Sequence, residues 1–144
     1  HLHHKNDSFA LVDFGVRPPA MLLECDIILD KDGYAGFAFG QGTDYNDFTC
    51  LTLDSKNHCI HYEGTKPSDL EDTLPFIKTN FHFDPNVRYH AKLVAEKEIV
   101  VLYLDNAKAL SSRIYHSIDG AHIAAFAKGT DAAFCNLTVR IPQK

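Results

Sequence analysis

The sequence predicts an all-β domain, a two-sheet antiparallel β-sandwich of the jelly-roll kind. Three observations predict it: apolar and polar residues alternate with a period of two, turn-forming clusters recur at short spacing, and no long stretch follows a helical period. In chain order, strands are expected at Phe9–Val16, Leu22–Leu29, Tyr34–Gly40, Phe48–Leu53 and Cys59–Tyr62. Between them stand Pro18-Pro19, Asp30-Lys31-Asp32-Gly33 and Asp54-Ser55-Lys56-Asn57, residues that set turn geometry or bond their own backbone. The stretch from Gly64 to Asn80, with Pro67, Pro75 and the acids Asp69, Glu71 and Asp72, has no such pattern and reads as a long loop with one helical turn.

The C-terminal half carries the clearest alternation. Val87, Tyr89, Ala91, Leu93 and Ala95 alternate with Arg88, His90, Lys92 and Glu96, which places one face inward and one in water. Ile99 to Leu104 is apolar at every position and, across the charged turn Glu96-Lys97-Glu98, completes a hairpin through the centre of the sandwich. After Asp105-Asn106 come strands at Leu110–Tyr115, His122–Ala127 and Ala132–Ile141, separated by Asp119-Gly120 and by Lys128-Gly129-Thr130-Asp131.

A chain of 144 residues fits a single domain, expected here to span 1–144 with a disordered tail over 1–7. It begins at His1 without an initiator Met, so a fragment of a longer protein is expected. No apolar run is long enough to span a membrane, and a net charge of -5 with scattered Lys and Arg offers no basic stripe for phosphates, so neither membrane nor nucleic acid is an expected partner. Cys25, Cys50, Cys59 and Cys135 contain no C-x-x-C and are expected to be mostly free core thiols, although their even number is compatible with a disulfide in an exported chain.

Candidate sites follow from chemistry. Glu24 and Asp26 are two apart on one strand and project from one face, as paired carboxylates acting on a glycosidic bond must; the alternative is a solvated polar face. The acids of laminarinase-like jelly-roll glucanases follow Glu-x-Asp-x-Glu, and here the third position is Ile28. His58 and His61, three apart, would point to opposite faces of a strand and cannot chelate one ion, so no metal and no other cofactor is expected. No nucleophile motif of the G-x-S-x-G type occurs. Asn6-Asp7-Ser8 and Asn136-Leu137-Thr138 fit the N-glycosylation sequon. Sugar binding wants an aromatic platform amid polar groups, and without any Trp the best candidates are Tyr45 with Asp44, Asn46 and Asp47 in one polar loop, followed by Tyr34 and Tyr62.

Tyr89-His90-Ala91-Lys92-Leu93, Ile99 through Asn106, Ala109-Leu110-Ser111-Ser112-Arg113-Ile114-Tyr115 and the closing Phe134-Cys135-Asn136-Leu137-Thr138-Val139 together resemble the C-terminal β-sandwich module of glycoside hydrolase family 32, the fructan- and sucrose-cleaving enzymes. Ala35 through Gly40 and Thr49 through Leu53 are similar to the preceding paired strands of such concanavalin A-like sandwiches. The resemblance implies a secreted, extracellular or periplasmic, accessory module. It would be non-catalytic by itself and would support a separate catalytic propeller of the same parent chain, itself a glycoside hydrolase. An oligo- or polysaccharide would be the ligand. Asp84-Pro85-Asn86 and Glu24-Cys25 look like that family's catalytic motifs but stand in the wrong chain order, so no catalytic residue is assigned. The alternative is a free-standing lectin-like or laminin-G-like carbohydrate-binding domain.

Overall fold

The computed structural model describes residues 9–41, 48–63, 77–113 and 121–142. They form eleven strands: β1 (Phe9–Val16), β2 (Ala20–Leu29), β3 (Tyr34–Gln41), β4 (Phe48–Asp54), β5 (Cys59–Glu63), β6 (Ile77–Asn80), β7 (Tyr89–Glu96), β8 (Ile99–Leu104), β9 (Lys108–Arg113), β10 (Ala121–Lys128) and β11 (Ala132–Arg140). All pairings are antiparallel. A six-stranded sheet runs β1-β10-β3-β4-β5-β6 and a five-stranded sheet runs β11-β2-β7-β8-β9. The expected two-sheet antiparallel sandwich is the architecture observed. No helix among the described residues is long and apolar enough to cross a membrane.

Period-two alternation explains the core. On the five-stranded sheet, Met21, Leu23, Cys25, Ile27 and Leu29 point inward beside Ala91, Leu93, Ala95, Val100, Leu102 and Leu104. Phe37, Phe39, Leu51, Leu53, Ile60, Tyr62 and Ile123 meet them from the six-stranded sheet. Each enclosed Leu, Ile, Val, Met or Phe side chain among them contributes roughly 1.5–3 kcal/mol. Where the chain crosses from β6 to β7, Phe81 and Phe83 pack edge to face with Tyr89, at centroid distances of 5.7 and 5.1 Å, and tilted against each other at 4.8 Å, and the Asp84 amide donates to the Tyr89 hydroxyl over 2.7 Å.

The structure departs from the sequence expectations in three places. Ile77–Asn80, read as the end of a loop, is strand β6, paired to β5 from Tyr62↔Ile77 to Cys59↔Asn80. Strand β8, read as apolar on both faces, is half open, with Ile99 and Tyr103 exposed. Strand β5 is buried at every residue, and on the outer side of the six-stranded sheet Tyr34, Ala38, Cys50, Ala124 and Phe126 form a second buried cluster. The inner strands of that sheet therefore bury both faces. Cys25, Cys50 and Cys59 are buried free thiols, and Cys135 is a half-buried one. The expected tail over 1–7 lies outside the described residues.

Two edge strands carry bulges. The β1–β10 register slips between Asp13 and Val16, where Gly15 adopts φ +95° and its amide donates to Asp13 Oδ1 at 2.7 Å. The β11–β2 register slips between Cys135 and Thr138, around Asn136 at φ +54°.

Candidate functional site

The outer face of the five-stranded sheet is built by register. Thr138 pairs with Glu24, Glu24 with Lys92, and Lys92 with Tyr103, which brings an acid, a base and an aromatic ring from three strands into one row across the sheet. The next row pairs Asp26 with His90. Because side chains two apart share a face, the even-numbered acids of β2 meet the even-numbered bases of β7.

The geometry is a ladder of opposite charges. Asp26 accepts from Arg88 Nη1 (3.1 Å) and from Asn136 Nδ2 (3.2 Å) at the β11 bulge, and pairs with His90 Nδ1 (3.1 Å). His90 Nε2 lies 3.5 Å from Glu24 Oε1, which Lys92 Nζ approaches to 3.7 Å. Glu24 and Asp26 thus share a face as expected, but each is engaged by cross-strand partners. Beside them Tyr103 is 38% exposed and Val94 is 37% exposed. A shallow depression of about 300 Å³ continues the face, lined by Leu22, Val94, Glu96, Arg140, Ile141 and Pro142. Apolar surface, one exposed ring and a dense set of donors and acceptors are what a sugar needs, C–H faces on one and hydroxyls on the other.

Hydrogen bonds from His90 and Asn136 hold the Asp26 carboxyl below its ordinary range, and the bond to Asp26 raises the His90 imidazole. Asp26 therefore stabilises the fold fully above its unfolded value of about 4 and loses that contribution as pH falls through its lower folded value. His90 contributes fully below its unfolded value of about 6.5 and loses this as pH rises through its higher folded value. The pair stabilises most between about pH 4 and 6.5, by less than ~1 kcal/mol in so exposed a setting. Thermal unfolding of the parent and of Asp26→Asn across pH checks this: their difference in midpoint should be largest in that window and narrow on either side.

The residues predicted from loop and aromatic chemistry fare differently. Tyr45, Asp44, Asn46 and Asp47 lie outside the described residues. Tyr62 is fully buried in the core, and Tyr34 is 6% exposed, with Lys56 Nζ 5.6 Å from its ring centroid and His61 against its edge. Their expected role as ligand platforms is corrected for a physical reason: an enclosed ring has no open face to stack on. Tyr103, by contrast, escaped a sequence reading that took β8 as wholly apolar; its register opposite Lys92 is the signal that finds it.

A second cluster lies on the outer side of the six-stranded sheet, where β4 turns into β5. Asp54, Cys59, His61 and Glu63 are 3%, 6%, 5% and 1% exposed. His61 sits between carboxylates, Nε2 at 3.2 Å from Asp54 Oδ2 and Nδ1 at 2.7 Å from Glu63 Oε1. Asn57 fixes Asp54, donating from its backbone N–H to Oδ1 and from Nδ2 to Oδ2, both at 2.9 Å. Burial opposes charge on His61, but the bonds to Asp54 and Glu63 prevail and push its imidazole up to about 9. Burial and Asp54 push the Cys59 thiol up to about 11. His58 is elsewhere, at φ +51°, its Nδ1 accepting from the Phe83 amide at 3.1 Å and its ring stacked on His82 at 4.4 Å. His58 thus lies in the turn before β5 and not on a strand with His61 as expected, whereas Cys59 and His61, two apart on β5, share one face.

No protein-family model matches the chain, and no curated protein sequence matches it. Solved structures do share its fold. The carbohydrate-binding module CBM66 from Bacillus subtilis superposes with a TM-score of 0.72 at 16% identity, over 95% of this chain and 84% of that one. A toad ovary galectin, in complex with thio-digalactose, gives 0.63 at 10% identity over 92% and 98% of the two chains. The β-fructofuranosidase of Aspergillus kawachii gives 0.68 at 15% identity, over 93% of this chain but 26% of the enzyme.

Proposed function

We propose that this chain is a non-catalytic carbohydrate-binding β-sandwich, an accessory module to a fructan-hydrolase-like catalytic domain of the same parent chain, working outside the cytoplasm. The observation that carries the proposal is the outer face of the five-stranded sheet, where Glu24, Asp26, Arg88, His90, Lys92 and Asn136 present polar groups beside the open ring of Tyr103. The fold likeness supports it in two ways. A carbohydrate-binding module is matched over most of its length, and a fructofuranosidase over about a quarter of its length, as expected of one module in a larger enzyme. Glu24 and Asp26 serve as hydrogen-bonding groups here, held by neighbouring bases.

Calorimetric titration with fructo-oligosaccharides tests the proposal. Saturable binding is expected, weakened at least about tenfold, about 1.4 kcal/mol, in Tyr103→Ala and in Asp26→Asn, with no release of reducing sugar. Tyr45→Ala examines the loop with Asp44, Asn46 and Asp47 as a second contact. Absence of binding to any fructan oligomer refutes the fructan assignment, and hydrolysis abolished by Glu24→Gln refutes the non-catalytic one. A free-standing lectin is the second reading, favoured by the match over 98% of a galectin chain; binding of galactosides in place of fructans would select it.

A further inference from the structure

We propose that Asp54, Cys59 and His61 form a zinc-type cation site, oriented by Glu63 and Asn57, on the six-stranded sheet and separate from the sugar-binding face.

The ligand atoms of Asp54, Cys59 and His61 lie within 4.8 Å of one another. A thiolate, an imidazole and a carboxylate together form the mixed donor set that favours zinc over the all-oxygen preference of calcium or magnesium. Ordinary zinc bond lengths and tetrahedral angles require about 3.4 Å between a nitrogen and an oxygen ligand and about 3.6 Å between a sulfur and an oxygen. His61 Nε2 and Asp54 Oδ2 are 3.2 Å apart, and Cys59 Sγ and Asp54 Oδ2 are 3.8 Å apart. The distances are those of two edges of a coordination tetrahedron, with the fourth corner left to water.

The neighbours give independent support. A metal-binding histidine ordinarily donates its other ring N–H to a carboxylate, which fixes the tautomer and turns the free nitrogen to the metal. Glu63 Oε1 stands 2.7 Å from His61 Nδ1, on the side away from Asp54. Asn57 bonds both oxygens of Asp54 and fixes that carboxylate in turn. Asp54, Cys59, His61 and Glu63 are all buried, so the ligands are held by packing and a bound ion would be shielded from competing water. Binding displaces the thiol proton of Cys59 and any proton on His61 Nε2, and both pass to solvent. A divalent cation here would offset the negative charge of a Cys59 thiolate and of the Asp54 carboxylate, beside Lys78, which lies opposite His61 in register.

The local chain explains why these residues meet. Asp54 ends β4, the Ser55–His58 turn reverses the chain, and the register Asp54↔Cys59 and Thr52↔His61 sets the three on one face within a single hairpin. The site is therefore local in sequence and can form with the hairpin, before the rest of the sheet closes over it.

The test uses the full chain with His1, His3 and His4 replaced by alanine, so that no terminal histidine can contribute a ligand. Protein refolded with Zn²⁺ is expected to retain one equivalent after dialysis and to unfold at a higher temperature than chelator-treated protein. With Co²⁺ it should show the visible bands of a tetrahedral site and thiolate-to-cobalt charge transfer in the near ultraviolet. Cys59→Ser should lose the charge-transfer band, Glu63→Gln should bind about 10–100-fold more weakly, and Cys25→Ser and Cys135→Ser should bind as the parent does. Folded protein that retains no ion, or a charge-transfer band that survives Cys59→Ser, overturns the proposal. Should Cys59→Ser not fold, the parent decides alone: cobalt-loaded protein lacking the charge-transfer band has no thiolate ligand, and the site is refuted.

Discussion

His61→Ala is expected to lower the stability of the ion-free domain by about 3–5 kcal/mol, a large part of what a domain of this size possesses. Asp54 and Glu63 both turn their carboxylates to the one imidazole, from opposite sides and in near-complete burial. Without it, two buried acidic side chains share a pocket with little water, and the cost is the desolvation of both plus their repulsion, relieved only in part by Lys78 opposite position 61 on β6. His61→Gln keeps hydrogen-bonding atoms but no charge and should fall between alanine and the parent. Combining His61→Ala with Asp54→Asn and Glu63→Gln should recover part of the loss, because the uncompensated charges leave with it. Urea unfolding in chelator measures all four proteins, and an unchanged midpoint for His61→Ala refutes the account.

Gly36→Ala is expected to cost about 3 kcal/mol or more, although it adds a single methyl to a strand. A Cβ at this position would stand 2.1 Å from the Leu51 carbonyl oxygen, 3.1 Å from the Leu51 carbonyl carbon and 3.2 Å from Thr52 Cα. All three are backbone atoms of the paired strand, so no side chain can swing aside, and β3 must draw away from β4. Gly15→Ala is the contrast: nothing lies within 4 Å of its Cβ, and the only cost is a side chain at φ +95°, about 1–2 kcal/mol. Comparing the two by denaturant midpoint separates close packing from backbone conformation as the reason a glycine is needed.

The fold was legible wherever a strand has one face in the core and one in water. β2 and β7 alternate cleanly in burial, and both strands were expected at nearly their observed bounds. Where both faces are buried, as in β5 and β10, apolar content still marks a strand but carries no information about which face meets the core. β6 was missed because four residues, mostly exposed, form no pattern and are held by pairing to β5 alone. The candidate sites depended on something periodicity does not contain. That Glu24 and Asp26 share a face follows from spacing, but Arg88 and His90 meet Asp26 across 62 and 64 residues of chain, a pairing set by register. The cluster around His61 is hidden for a simpler reason: the residue that shares its face is not the histidine three positions back but the cysteine two positions back, and Asp54 reaches it only through the register of β4 on β5.

The irregular edges have a consequence of their own. A sheet edge with evenly spaced, unpaired N–H and C=O groups is a template on which another chain can add as a further strand. Among the described residues β1 stands at a sheet edge, and it exposes Val12, Phe14 and Val16 at 43%, 43% and 62%. The slip at Asp13–Val16 interrupts the hydrogen-bonding repeat beside those residues, and the slip at Cys135–Thr138 does the same on β11, where Leu137 and Val139 are exposed. An added strand would find its register broken after a few residues on either edge. These two edges can therefore leave apolar side chains in water without inviting growth into a fibre.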